Sequence, residues 1–465
     1  MIVIQQNVTS FIACAAFLFI TFCHSSAIAD GLIDSGQLQR QGLTRPWFNQ
    51  VQMDVGRDRV ENVNFDGELL TIQTKRGVIQ TIDGETGETL WASNVSSPGL
   101  FTSSIGVGPD HAVLSNGSHL LVFDRKTGKQ VWSRKLSGGV IGSPGVSDDF
   151  VFVPKVDGNL EVYSLDKPRA WGDVRSVSDT QFPVWRFNSH GKTMVQPTIF
   201  DGFFGWSNDR ATFYVARIKP MEILFRLETF EDVVVPPVKI GSFLYVVSAD
   251  GYLYKVNTKT GDIRWRFSTG TPLIYRPVAR DGFVYISTPQ GGLYRILADK
   301  DVAQKAGLLD EDNEQNPNAS PAKSSIEEGN EVWFNPDIAR ILSVTSERIF
   351  GLDKRENLQI VDTETGQSLG NLPTGGVSIP ITNPLTDRIY LASTDGLIQC
   401  IESLNRNSAN ENKIQITAKS DVEKDDGEAD QKDPGEGDNP FQEEGDNSPD
   451  EQNTSEDDSD DPFEF

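Results

Sequence analysis

The residue types that most often carry catalysis are scarce in this chain and poorly spaced for it. It holds four histidines and three cysteines. His111, His119 and His190 lie beyond the first 29 residues, and none forms the H-x-H or H-x-x-x-H spacing that sets two imidazoles on one metal. They read as ordinary strand or loop residues. Asp310, Asp312 and Glu314 open like a calcium loop. Gln315 and Pro321 then stand where the turn glycine and the bidentate glutamate belong, so the pattern fails. There is no G-x-S-x-G, no glycine loop cradling phosphate between a strand and a helix, and no nucleophile with an identifiable base. Cys400 is the single cysteine after residue 29, which leaves no partner for an intramolecular disulfide.

The first 29 residues read as a targeting segment. Residues 11–22 are an apolar run of signal-peptide length, and Ala27, Ile28 and Ala29 form a small-x-small cleavage site before Asp30. The run is too short for a spanning helix, which needs about 20 apolar residues. Phe22 precedes Cys23 where lipidation requires a small residue, so a lipid anchor is not expected there. The mature chain is therefore expected to be exported to the periplasm or cell envelope, without a transmembrane span.

The net charge of −25 belongs mostly to one end. Residues 421–465 contain 20 Asp and Glu against 2 Lys, leaving −7 for everything before them. No basic stripe offsets this balance, so nucleic-acid binding is not expected. Residues 404–465 have too little apolar content to offset ordering entropy, and a disordered acidic tail is expected.

Residues 233–270 hold the clearest copy of a repeated unit. Tyr245, Val246 and Val247 form one β-rich run, and Tyr252, Tyr254 and Val256 alternate with Leu253, Lys255 and Asn257 after a turn. Ile263, Trp265 and Phe267 form another, and residues 233–238 precede the set, giving a four-stranded antiparallel meander. The central turn recurs at Arg76-Gly77, Asn116-Gly117, Asp157-Gly158, Asn208-Asp209, Asp250-Gly251, Gln290-Gly291, Glu356-Asn357 and Asp395-Gly396. A second turn closes with Gly87, Gly128, Gly261 and Gly366, where a positive φ is expected of a type I hairpin turn. A bulky apolar residue marks each outer strand: Trp91, Trp132, Trp185, Phe225, Trp265, Trp333 and Leu369. The eighth such residue is Trp47, at the opposite end of the chain. A ring closes if the N-terminal segment supplies the strand missing from the last unit, which also removes the exposed sheet edge. Periods near 40 residues with this split repeat predict an all-β, eight-bladed β-propeller.

The phrases IQTIDGETGETLW at 79–91, LLVFDRKTGKQVW at 120–132 and DGYLYKVNTKTGDIRW at 250–265 resemble the tryptophan-docking repeat of the pyrroloquinoline-quinone-like propellers. The resemblance covers residues 46–403 and implies that each indole packs between neighbouring blades, burial worth about 2–3 kcal/mol. Enzymes of that family hold the quinone in the central channel with a disulfide of adjacent cysteines and a Ca²⁺ site. This chain lacks the cysteine pair. The blade count is similar to that of the non-catalytic, BamB-like propellers of outer-membrane assembly. The resemblance therefore implies a monomeric envelope scaffold that binds other proteins and carries no cofactor or metal, with a quinone-dependent dehydrogenase as the alternative.

The expected layout is a signal peptide over 1–29, a linker over 30–45, the propeller over 46–403 and the tail over 404–465. Two insertions interrupt the ring, at 166–184 and 299–329. The first carries Arg169, Trp171 and Arg175, residue types typical of interface hot spots, and reads either as a partner-binding site or as a loop that folds Trp171 back onto its blade. The second is expected to be a mobile surface loop. Phe203, Phe204 and Trp206 in the fourth unit are expected in the core.

Overall fold

The computed structural model describes residues 31–95, 100–165, 182–309 and 326–404. They form eight four-stranded antiparallel sheets and two short helices, α1 (Ser35–Arg40) and α2 (Lys300–Lys305). In blade five, Val238–Ile240, Phe243–Val247, Tyr252–Asn257 and Ile263–Ser268 pair in that order. The second and third strands are buried along almost their whole length, whereas the outer strand alternates exposed and half-buried residues. The reason is position: middle strands are covered on both faces by neighbouring blades, while the outer strand keeps one face in water.

Eight hydrophobic clusters lie at the contacts between consecutive blades rather than inside single sheets. The cluster between blades three and four, for example, joins Phe152, Leu160 and Val162 to Phe204, Trp206 and Tyr214. Phe204 and Trp206 are core residues, as expected, and Phe203 is half-buried. No blade is stable alone because its apolar faces have no partner until the next blade packs on.

The outer-strand residues are the joints. Trp47, Trp91 and Trp333 lie over Gly87, Gly128 and Gly366 of the following blade, Phe225 lies over Gly261, and Trp265 over Gly329. Those glycines have φ between +67° and +87°, and an added Cβ would stand 2.3 to 2.9 Å from the ring. The indole N–H of Trp47, Trp91, Trp132 and Trp333 donates to the carbonyls of Gly84, Arg125, Leu165 and Thr363 respectively, at 2.9 to 3.3 Å. Trp185 packs among Phe187, Phe204 and Trp206. A register shift interrupts seven of the eight outer-strand pairings beside the docking position. Such bulges turn a side chain out of the regular alternation, here toward the next blade.

Blade seven corrects the sequence reading. Leu369 does not dock and is 51% exposed. Opposite Ile360, where other blades set their aromatic residue, stands Gly370. A Cβ there would collide with the Gln41 side chain at the end of α1. The N-terminal segment thus fills the gap that a docking indole fills elsewhere.

The ring closes through Leu43–Gln50, which pairs antiparallel with Leu397–Ser403 and sets Trp47 opposite Cys400. Residues 31–42, expected as linker, are packed: Ile33 and Leu38 are buried in the cluster between blades seven and eight. Gln399 Nε2 donates to the Gly31 carbonyl, and Arg348 donates to that of Gln41. The start of the 299–329 insertion is also ordered rather than a loop. Asp299 caps α2, Ala303 and Leu309 join the cluster between blades six and seven, and Glu328 accepts from both Lys300 N and Lys255 Nζ.

Candidate interaction face

Meander topology sorts the connections onto two faces. Turns between second and third strands share a face with the loops that lead from one blade to the next. The other two classes of turn share the opposite face. The expected partner residues Arg169, Trp171 and Arg175 lie outside the described residues, and their insertion leaves the ring from this second face, between Leu165 and Phe182.

Large apolar side chains are exposed on the first face. Leu100 and Phe101 precede blade two, Val156 tops blade three, Met194 precedes blade four, Phe230 and Val234 precede blade five, and Ile274 precedes blade six. Phe230 and Met194 are 72% and 64% exposed. Together they make an arc across five consecutive blades. Sequence reasoning missed it because an exposed residue such as Val234 or Ile274 stands beside a buried one, Val233 or Leu273, of the same type; only ring closure separates the two and brings the loops onto one face.

The loops that carry the arc are held firmly. The backbone N–H groups of Ser189, Thr229 and Thr269 donate to the carbonyls of Gly158, Ala211 and Gly251 in the central turns of their own blades, each at 2.9 Å. Asp250 accepts from Phe230 N and from the Tyr254 hydroxyl, at 3.1 and 2.7 Å. An aromatic side chain on so fixed a backbone loses little entropy on binding.

Phe65, Val107, Val146, Pro197, Pro236 and Arg276, from six blades, line an axial cavity of about 520 Å³. Arg125 at its edge is paired with Asp66 and Glu68. Arg276 keeps an exposed surface on the cavity, and desolvation by the surrounding protein lowers its pKa. Away from this cavity, blade three buries a charged cluster. Glu161 accepts from Tyr163 at 2.6 Å and from Arg186 at 2.6 and 2.9 Å, with Lys155 Nζ 3.6 Å away. Every member has an internal partner, which marks the cluster as structural rather than reactive.

Three of the chemistry-bearing residues are far from any such grouping. His111 pairs in register with Asp124, and His119 pairs with Asn116, at opposite ends of a hairpin in blade two. His190 occupies a turn with φ 53°. Cys400 is fully buried, and desolvation pushes its thiol up out of the reactive range. Among the described residues no three His, Cys, Asp or Glu side chains converge as metal ligands, and no helix is long and apolar enough to cross a membrane.

Comparison with known proteins agrees with the repeat reading. The family described as outer membrane protein assembly factor BamB matches residues 75–197 and 172–412. A curated relative of the same description from Yersinia pestis is 20% identical over 236 residues, which are 45% of this chain and 57% of the relative. The match thus spans little more than half of that relative's length. The crystal structure of BamB from Moraxella catarrhalis superposes with a TM-score of 0.56 at 15% identity, over 77% of this chain and 97% of the other. The computationally designed Ika8 protein superposes with a TM-score of 0.53 at 13% identity, over 76% and 98%. Both likenesses concern the fold alone.

Proposed function

The chain belongs to the family of the outer membrane protein assembly factor BamB, and from that premise we propose that it is a non-catalytic docking scaffold of the cell envelope. It binds a partner protein through the face that carries the apolar arc. The observation that carries this reading is the grouping of Leu100, Phe101, Val156, Met194, Phe230, Val234 and Ile274 on one face of a rigid ring. Soluble monomers seldom leave large apolar side chains grouped in this way unless something covers them. The apolar run and small-x-small site near the start support export.

A photoreactive side chain placed at Phe230 or Met194 in cells should give discrete adducts with envelope proteins. The same group at Lys126, which is exposed on the opposite face, should not. Identical adducts from both faces would refute the docking assignment. Saturable binding of pyrroloquinoline quinone with Ca²⁺ and dye reduction would refute the non-catalytic one.

A further inference from the structure

The same face carries a second feature where the first and last blades of the ring meet. The link from the closing strand into blade one, residues 51–59, and the central turns of blades one and eight surround a cleft of about 630 Å³. Arg57, Arg59, Lys75 and Arg76 line it, against Asp58 and Asp395. Before residue 421 the chain holds 47 acidic and 40 basic residues, so four cations against two acids reverse the balance locally.

The acids in the cleft are already engaged. Asp58 is buried, and its carboxylate accepts from the Thr74 hydroxyl at 2.6 Å and from the backbone N–H of Arg59 and Arg76 at 2.9 Å each. Asp395 accepts from the Ser393 hydroxyl. Arg57 makes only a long, exposed contact with Asp54, at 3.8 Å. Arg59, Lys75 and Arg76 have no carboxylate within ion-pair reach among the described residues. Asp58 therefore acts as a brace: it fixes the backbone of two arginines from different segments while leaving their guanidinium groups to the cleft.

We propose that this seam cleft recognises an acidic peptide segment of a partner protein. Guanidinium forks bind carboxylates two bonds at a time, which suits them to Asp and Glu side chains. Exposed Val55 on the lining adds an apolar contact beside the charges. The concave shape favours a chain that can enter over a flat lipid surface that cannot. The site deepens the docking reading by naming the partner's charge. It is nonetheless separable, because it shares no residue with the apolar arc.

The test uses the full chain and a short fluorescein-labelled oligoglutamate, followed by anisotropy. Binding should weaken steeply as salt rises, since exposed charges are screened beyond about 8 Å at physiological ionic strength. Replacing both arginines, Arg59→Gln with Arg76→Gln, should weaken it roughly tenfold. Arg217→Gln, on the opposite face, should leave it unchanged, and an unaltered melting temperature shows that the variants fold. The cleft exists only when the ends of the ring are joined, so bound peptide should also slow amide exchange in Leu397–Ser403. At a hundred times Kd the slowing approaches roughly a hundredfold where exchange proceeds through seam opening. Equal affinity in the double variant overturns the proposal, as does an unprotected seam, or binding of inorganic phosphate or anionic vesicles in place of the peptide. The Phe230→Ser variant tests the arc and should not change oligoglutamate binding, so failure of one assignment is visible apart from the other.

Discussion

Replacing Gly128 with alanine tests whether the joints between blades are steric sockets. Gly128 has φ +67°, and a Cβ there would lie 2.3 Å from Trp91 Cδ2 and 2.5 Å from Cε3. Left-handed backbone costs an alanine about 1 kcal/mol whatever surrounds it. The collision adds to this. To regain ordinary contact the indole must retreat by about 1 Å, which forfeits a quarter to a half of its dispersion contact on that side. Its Nε1 bond to the Arg125 carbonyl, 2.9 Å long, is strained or lost, at about 1 kcal/mol. The expected total is about 3 kcal/mol. Gly202 supplies the control, with φ +80° and nothing within 4 Å of an added Cβ, so Gly202→Ala should cost only the backbone share of about 1 kcal/mol. Urea unfolding followed by far-UV circular dichroism reads both. In a double-mutant cycle, Trp91→Ala removes the obstacle, and Gly128→Ala on that background should fall back to about 1 kcal/mol. Equal losses at Gly128 and Gly202, or no coupling to Trp91, would refute the socket reasoning.

Trp47→Ala should cost about 3–5 kcal/mol, and because Trp47 holds the closing strand against Gly87 and the Gly84 carbonyl, hydrogen exchange should show Leu397–Ser403 losing protection before any other strand. Glu328→Ala should destabilise by about 2 kcal/mol, because Lys255 would be left buried without its carboxylate at 2.6 Å, whereas Glu328→Ala combined with Lys255→Met should recover most of that loss in thermal melts. Acid should act on the turns: hydrogen bonds from the Thr127 and Thr365 side chains hold Asp124 and Asp362 below the usual 3.8. A lowered carboxylate contributes stability that is present above the unfolded pKa and lost as pH falls through the folded one. Thr127→Val with Thr365→Val should therefore lower the melting temperature at neutral pH, and the difference from the parent chain should close as pH falls below 3.8 and through the lowered folded-state pKa values of Asp124 and Asp362. A gap that persists in acid would point to packing instead.

How far each of these features can be read without the structure depends on the range of the interaction behind it. The central turns and the glycines at 87, 128, 261 and 366 need only local backbone conformations, so their spacing reveals eight units and their meander. Trp47, a docking residue stranded at the start, signals that the ends meet. Leu369 shows where this reasoning stops. Counted from the turn glycine, Trp91, Trp132 and Trp265 stand four residues on but Leu369 only three, so Gly370 occupies the docking site, and only the fold shows that Gln41, over 300 residues away in sequence, takes the space. The packed segment around Ile33 and Leu38 was hidden for the same reason: its core partners lie in blades seven and eight.

The sequence by itself determined the repeat and most of the residues that join one blade to the next, because these rest on turns and strand periods written within some 40 consecutive residues, and the stranded Trp47 added the closure of the ring. It left the interaction face undetermined. Phe230 and Met194 become one surface, and Arg59 and Arg76 one cleft beside Asp395, only when loops from separate blades are brought together. Closure of the ring decides that, by burying a cluster at every contact between blades and leaving these side chains in the water between them.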